Sequence, residues 1–169
     1  MATIRHWLTG EVLAETRGET LEGADLSGRD LCDAELGRAD LRGANLRETL
    51  LERARMVMAN LSGAQLVGAR LCDALMRGAI LARAVLDRAD LSRARLSLAD
   101  LFRARLRGAR LRESVLQGAD LREAELEGAD FRGARLFGAK LSRASYDEDT
   151  RWPDGFDPEE HGARKSDGD

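Results

Sequence analysis

Two histidines and two cysteines are the side chains of this 169-residue chain best suited to nucleophilic or metal chemistry. His6 and His161 lie near opposite ends, and neither has a Cys or a carboxylate at the spacing of a metal-binding loop. No metal site is expected. Cys32 and Cys72 have no neighbouring base to generate a thiolate, so a cysteine nucleophile is not expected either. Gly-containing dipeptides such as Arg42-Gly43 and Arg107-Gly108 recur along the chain, which marks them as turn chemistry and not as one phosphate-binding loop. These residues predict no enzyme and no cofactor.

The abundant chemistry is charge. Asp, Glu, Lys and Arg make up 34% of the chain, so ion pairing must shape its surface. Residues 19–148 hold 22 basic and 21 acidic side chains, whereas a nucleic-acid binder carries a clear basic excess. Direct nucleic-acid binding is therefore not expected. Which charges face a partner depends on the element that carries them.

That element is a repeat of five. From Leu21 to Tyr146 a large apolar residue stands at every fifth position, and 22 of the 26 are Leu; the others are Met56, Met76, Phe131 and Tyr146. Two residues before each stands Ala in 22 of 26 cases, the exceptions being Glu19, Arg29, Thr49 and Ser114. A helix turns about 100° per residue, so a period of five smears the Leu around its cylinder. A continuous strand needs alternation by two over its whole length. Here the inward steps alternate two, then three. The step of two fits a short extended bridge, and the step of three needs a corner. Gly is common two residues after the Leu (Gly23, Gly28, Gly43, Gly63), where a type II turn asks for positive φ. Corners such as Arg83, Arg88, Arg93 and Arg103 are expected to use a different turn.

The units Ala24-Asp25-Leu26-Ser27-Gly28, Ala44-Asn45-Leu46-Arg47-Glu48 and Ala119-Asp120-Leu121-Arg122-Glu123 resemble the pentapeptide-repeat family, whose consensus is A(D/N)LXX. The resemblance covers residues 19–148. It implies an all-β solenoid, a right-handed quadrilateral β-helix with four pentads per coil, about six and a half coils long. At about 4.8 Å per rung the rod is roughly 30 Å long. Charges fit this independently, because like charges avoid a spacing of 20: Asp33, Arg53, Asp73, Arg93 and Glu113 alternate, as do Arg70, Asp90, Arg110 and Asp130. Cys32 and Cys72 then share a column two coils apart, about 10 Å, too far for a disulfide.

Four per coil sorts the charges onto sides. One side carries Arg38, Arg55, Arg77, Arg95 and Arg135 against a single acid, Glu35, with Val57, Met58, Leu75, Leu98, Val115 and Phe137 pointing outward. Arg and apolar residues with few carboxylates are the composition of an interface. A homodimer seam and a heterologous protein partner are equally compatible with it. Another side is the most acidic, with Asp25, Glu48, Asp87, Glu125, Glu127 and Asp147 set against Arg47, Arg88, Arg105 and Arg107. The resemblance implies a partner for such a surface, since some members protect DNA gyrase and topoisomerase IV from quinolones or toxins by mimicking DNA. This chain departs from those members: no loop interrupts its repeat, and no helix-forming run follows residue 146 to serve as a dimerisation module. The alternative is a structural spacer or assembly scaffold.

Three regions are expected: an N-terminal cap at 1–18, the β-helix at 19–148, and a C-terminal plug and mobile tail at 149–169. Two unpaired thiols and no apolar run in Met1–Gly10 point to a reduced, cytoplasmic setting, and no stretch is apolar enough to span a membrane. The inward register is testable. Leu91→Asp is expected to abolish folding by burying an unpaired charge, whereas Arg95→Ala leaves the melting temperature nearly unchanged. Circular dichroism melts check both, and an L91D protein that melts like wild type refutes the register.

Overall fold

The computed structural model describes residues 1–166 as one solenoid. Its skeleton is a set of parallel bridges between residues 20 apart: Asp25 with Asn45, Asn45 with Gln65, Gln65 with Val85, and onward to Ser145. Three more columns begin at Asp30, Glu35 and Asp40. Four pentads therefore close each coil, and the chain is a right-handed quadrilateral β-helix. The four sides are named here by the first residue of each column. The spacing of 20 holds until Asp130, which pairs with Arg151 because one residue is inserted in the last coil.

The pentad fits because four of its five backbone N–H groups find acceptors on the backbone. The Leu and the corner donate to the next coil, as in Leu26 N–H to the Asn45 carbonyl (2.8 Å) and Gly28 N–H to that of Arg47 (2.9 Å). The residue before each Leu donates back to the previous coil, as Asn45 does to Ala24 (2.9 Å), and the Ala closes the corner, as Ala24 does to Leu21 (3.1 Å). The fifth N–H, just after the Leu, is taken by a side chain where Asp or Asn precedes the Leu. Ser27, Ser92 and Arg122 donate theirs to Oδ1 of Asp25, Asp90 and Asp120, at 3.2, 3.0 and 3.1 Å. That bond is the physical reason for Asp or Asn before the Leu.

Inside the coils the Leu and Ala stack with almost no exposure, and Leu91 is 0% exposed. Burying each Leu is worth about 1.5–3 kcal/mol. Thr49 and Ser114, which replace Ala, satisfy their buried hydroxyls on the carbonyls of Leu26 (2.9 Å) and Leu111 (2.7 Å).

The corners correct one expectation. Every corner from residue 23 to residue 143 has positive φ, and Arg83, Arg88, Arg93 and Arg103 adopt +58°, +58°, +57° and +56°. They share the left-handed region with the glycines instead of using another turn. Left-handed backbone disfavours an L residue by about 1–2 kcal/mol. Coil-to-coil hydrogen bonds on both sides of the corner outweigh that.

The ends close differently. At the N-terminus β1 (Thr3–His6) and β2 (Val12–Glu15) form an antiparallel hairpin, and β1 also pairs antiparallel with β3 (Ala34–Glu35). Ile4 and Ala14 are thereby buried against the first coil. At the C-terminus Trp152 stacks on Phe131 (4.9 Å between centroids), meets Tyr146 edge-on and stacks on Phe156. The expected mobile tail is corrected over 157–166: His161 stacks on Phe156, and β5 (Arg164–Lys165) pairs in parallel with β4 (Ser145–Tyr146). Residues 167–169, the end of that expected tail, lie outside the described residues.

Corner strain gives a direct test. Arg83 is exposed and has no ion-pair partner among the described residues. Arg83→Gly is expected to raise stability by about 0.5–1 kcal/mol, the relief of left-handed strain less the entropy of an added Gly. Urea unfolding measures it, and a destabilised variant refutes the account.

Candidate functional site

The Arg and apolar residues expected at an interface all fall on the Glu35 side and the corner that follows it. Arg55, Leu75, Arg95, Val115 and Arg135 are successive rungs of its bridge column. Val57, Arg77 and Phe137 occupy the position after the Leu, and Met58 and Leu98 occupy the corner itself. Val57, Met58, Leu98 and Phe137 are four of the exposed large apolar residues of the chain, Phe137 being 86% exposed.

The side chains build a groove. One depression of about 440 Å³ is lined by Val57, Met58, Arg77, Gly78 and Leu98. A second, of about 1000 Å³, begins at the same Arg77 and Leu98 and runs past Arg95, Val115 and Arg135 to Phe137. Its floor is notched by glycines that sequence reasoning passed over. A Cβ on Gly78 would lie 2.6 Å from Met58 Sδ, and one on Gly118 would lie 2.9 Å from Leu98 Cδ2. Each large corner residue thus lies across the bare corner of the next coil. The signal was legible as Met58 to Gly78 and Leu98 to Gly118 at a spacing of 20.

Two expected members stand apart. Leu75 does not line the groove. Arg55 is taken by the N-terminal hairpin: its guanidinium lies 3.8 Å from the Trp7 ring centroid, and it pairs with Glu35 at 4.0 Å. Trp7 itself is held by Asp33 at 3.4 Å.

The remaining arginines of this side are unpaired among the described residues, as are Arg29, Arg47, Arg83, Arg88 and Arg143, and so differ from the arginines that carboxylates hold. Arg53, Arg93, Arg103 and Arg122 sit on Asp33, Asp73, Glu123 and Asp120. Arg77, Arg95 and Arg135 have no carboxylate within 4 Å among the described residues. The backbone cap is missing here too. Before the Leu the other sides offer Asp30, Asp40, Asn60, Asp90, Asp100, Asp120 and Asp130 to the N–H two residues on, but on this side only Glu35 does so.

The acidic side behaves oppositely. Asp87 pairs with Arg105, Glu125 with both Arg105 and Arg107, and Glu127 with Arg107 at 3.5 Å. Asp25 binds Ser27 and Asn45, which holds its carboxyl below the ordinary value, the Ser27 bonds most strongly. Asp147 is a turn acceptor; burial pushes its pKa up, but bonds from Gly128 and Thr150 prevail and lower it. Glu48, exposed at a corner, has no ion-pair partner among the described residues. Its side chain lies along Gly68.

The two thiols are poor nucleophiles. Burial, helped by Glu52 at 3.0 Å, pushes Cys32 up to about 12, and burial pushes Cys72 up to about 11. Among the described residues no group of three His, Cys, Asp or Glu is placed to hold a metal ion, and no helix is long and apolar enough to cross a membrane.

A family profile of pentapeptide repeats matches eight copies over residues 20–56, 59–97 and 99–138. Among solved structures, trypsin-treated QnrB1, a plasmid-mediated fluoroquinolone resistance protein, is 20% identical with a TM-score of 0.67, over 87% of this chain and 77% of that one. The pentapeptide repeat protein alr5209 of Nostoc Pcc 7120 is 30% identical over 84% of each chain, with a TM-score of 0.35. The pentapeptide repeat protein Rfr23 of the cyanobacterium Cyanothece 51142 is 37% identical over 58% of this chain and 63% of its own, with a TM-score of 0.39. Comparison with curated proteins gave no significant match.

The paired carboxylates carry a pH dependence. Arg132, and after it Arg112, hold Asp130 far below the usual carboxylate range; Arg53 lowers Asp33, Arg93 lowers Asp73 and Arg122 lowers Asp120. A pKa lowered on folding stabilises above the unfolded value and loses that contribution as pH falls through the folded value. The melting temperature is therefore expected to fall below about pH 4 and to be unaffected by these groups between about pH 5 and 8. In Asp130→Asn the acid-side fall is smaller. An equal fall in both proteins refutes the assignment.

Proposed function

This chain belongs to the pentapeptide-repeat family, and we propose that it is a non-enzymatic, rigid interaction module that binds another protein along its Glu35 side. The observation that carries this reading is the groove itself, in which Arg77, Arg95 and Arg135 stand unpaired beside Leu98, Val115 and Phe137. A rod built on coil-to-coil hydrogen bonds needs none of them for its fold. A spacer, the alternative, would give no task to three unpaired arginines gathered beside exposed apolar side chains in one groove.

The partner to test first is a type II topoisomerase, DNA gyrase or topoisomerase IV. Its support is the resemblance to topoisomerase-protecting members of the family and the fold shared with the fluoroquinolone resistance protein QnrB1. Binding by DNA mimicry, with protection against topoisomerase poisons, would use free carboxylates along the Asp25 side. Arg105 and Arg107 already neutralise Asp87, Glu125 and Glu127 there, so the groove is the stronger candidate surface. Reduced thiols fit a cytoplasmic setting, where such a partner works.

Supercoiling by purified gyrase, titrated with this protein with and without a quinolone, tests the partner. Inhibition, or rescue from the drug, is expected. Loss of the effect in Arg95→Glu/Arg135→Glu assigns it to the groove, and loss in Glu48→Lys assigns it to the acidic side. No effect at large molar excess removes the topoisomerase reading.

A further inference from the structure

We propose that the groove on the Glu35 side receives an extended acidic segment of a partner protein, whose carboxylates meet Arg77, Arg95 and Arg135 and whose apolar side chains meet Leu98, Val115 and Phe137. The inference rests on the reading of this groove as the working surface and adds the chemistry of what fills it.

Charge complementarity selects the occupant. A guanidinium offers a planar fork of donors matched to a carboxylate, and at Arg93, Arg103 and Arg122 that match is made within the chain. In the groove it is left open three times, and Glu113 is the one carboxylate in its lining. A second copy of this chain fits poorly, because two-fold pairing of this side with itself sets its guanidiniums against one another. Nucleic acid fits less well than an acidic peptide. Between the arginines lie aliphatic side chains, Leu98 and Val115, and Phe137 is the only aromatic ring in the lining on which a base could stack.

Spacing sets the length. Arg77 and Arg135 belong to pentads three coils apart, about 14 Å along the rod, and Arg95 lies between them. An extended chain rises about 3.3 Å per residue, so four or five residues span the three guanidiniums. Leu98 lies across Gly118, and Phe137 stands beside Gly138 near the end of the groove, so apolar contacts alternate with the cations along the same path. An acidic segment with interspersed apolar residues matches that order.

A display library of random dodecapeptides, selected on the full chain and on Arg77→Ala/Arg95→Ala/Arg135→Ala, tests it. All three side chains are exposed, so the variant is expected to melt like wild type. The expected result is a consensus of Asp or Glu interleaved with apolar residues on wild type. A synthetic consensus peptide then binds at least tenfold more weakly to the triple variant, loses affinity as salt rises, and binds Arg83→Ala as it binds wild type. No consensus, a basic consensus, or equal binding by the triple variant overturns the proposal. Displacement of the peptide by a single-stranded DNA twenty-mer that itself binds more tightly overturns it in favour of nucleic acid. A dimer in sedimentation that the triple variant dissociates overturns it in favour of a second copy. If Arg95→Glu/Arg135→Glu abolishes a gyrase effect but no acidic consensus emerges, the groove stands and its acidic occupant falls. An acidic consensus without any gyrase effect removes only the topoisomerase.

Discussion

Everything in this rod depends on the pairing of backbone groups between residues 20 apart. Once Leu26 N–H must reach Asn45 and Asn45 N–H must reach Ala24, four pentads must close each coil and the Leu can only point inward. The same bonds force the corner residue into left-handed backbone whatever its identity, since Gly28 and Arg38 both donate their N–H to the coil beyond. Local preference is overruled by a ladder that extends along the whole axis. Three of the five positions remain outward, and two of these are constrained. The residue before the Leu is wanted as an acceptor for the N–H two residues on, and the corner favours Gly. Only the residue after the Leu is free of a backbone duty.

That division explains what could be read from the sequence. The period of five, the inward Leu and Ala, and the alternating columns from Asp33 to Glu113 depend on side-chain volume and charge, both of which are visible as letters. The corners at Arg83 and Arg103 were not legible, because residue preference argues against positive φ and only the assembled ladder supplies the compensation. The fold of 157–166 was not legible either. His161 and Arg164 lack the repeat, and what orders them is contact with Phe156 and with β4, distant neighbours that no local pattern announces. Grouping of the interface residues on one side followed from the period. That Trp7 covers Arg55 did not, since it depends on how the N-terminal hairpin docks on β3.

Charge on this chain is mostly spent within it. Arg105 by itself contacts Asp87 on the coil before it and Glu125 on the coil after it, and Arg112 shares Asp130 with Arg132. Each exposed pair is worth little, about 0–1 kcal/mol, but together they leave the coat locally neutral. A raw count of acids and bases therefore misjudges what a partner would meet. The Asp25 side is rich in carboxylates and offers few that are free, whereas the Glu35 side has fewer charges and leaves its guanidiniums open. Electrostatic recognition acts on that residue of unpaired charge.

The Glu35 side departs from the repeat in three physically separate ways. After Glu35 its column reads Arg55, Leu75, Arg95, Val115 and Arg135, so five successive rungs forgo the acceptor that Asp or Asn gives elsewhere. Two of its corners hold Met58 and Leu98 at φ of 59° and 60°, exposed apolar residues in backbone that Gly would adopt more easily. Its three groove arginines lack the carboxylate that most outward arginines have. Other sides also lose acceptors, the Asp25 column at Gln65, Val85, Arg105 and Glu125 and the Asp30 column at Leu50, Arg70 and Arg110. None of them sets an apolar residue at a left-handed corner beside the gap, and Phe102 is covered by the guanidiniums of Arg103 and Arg122. A lapse in the repeat explains one such residue, because each position tolerates change independently. It does not explain three unrelated departures that coincide along one groove, two of which work against the stability of the coil. What those residues share is the surface they present, and that shared surface is the ground for the interaction proposed along this groove.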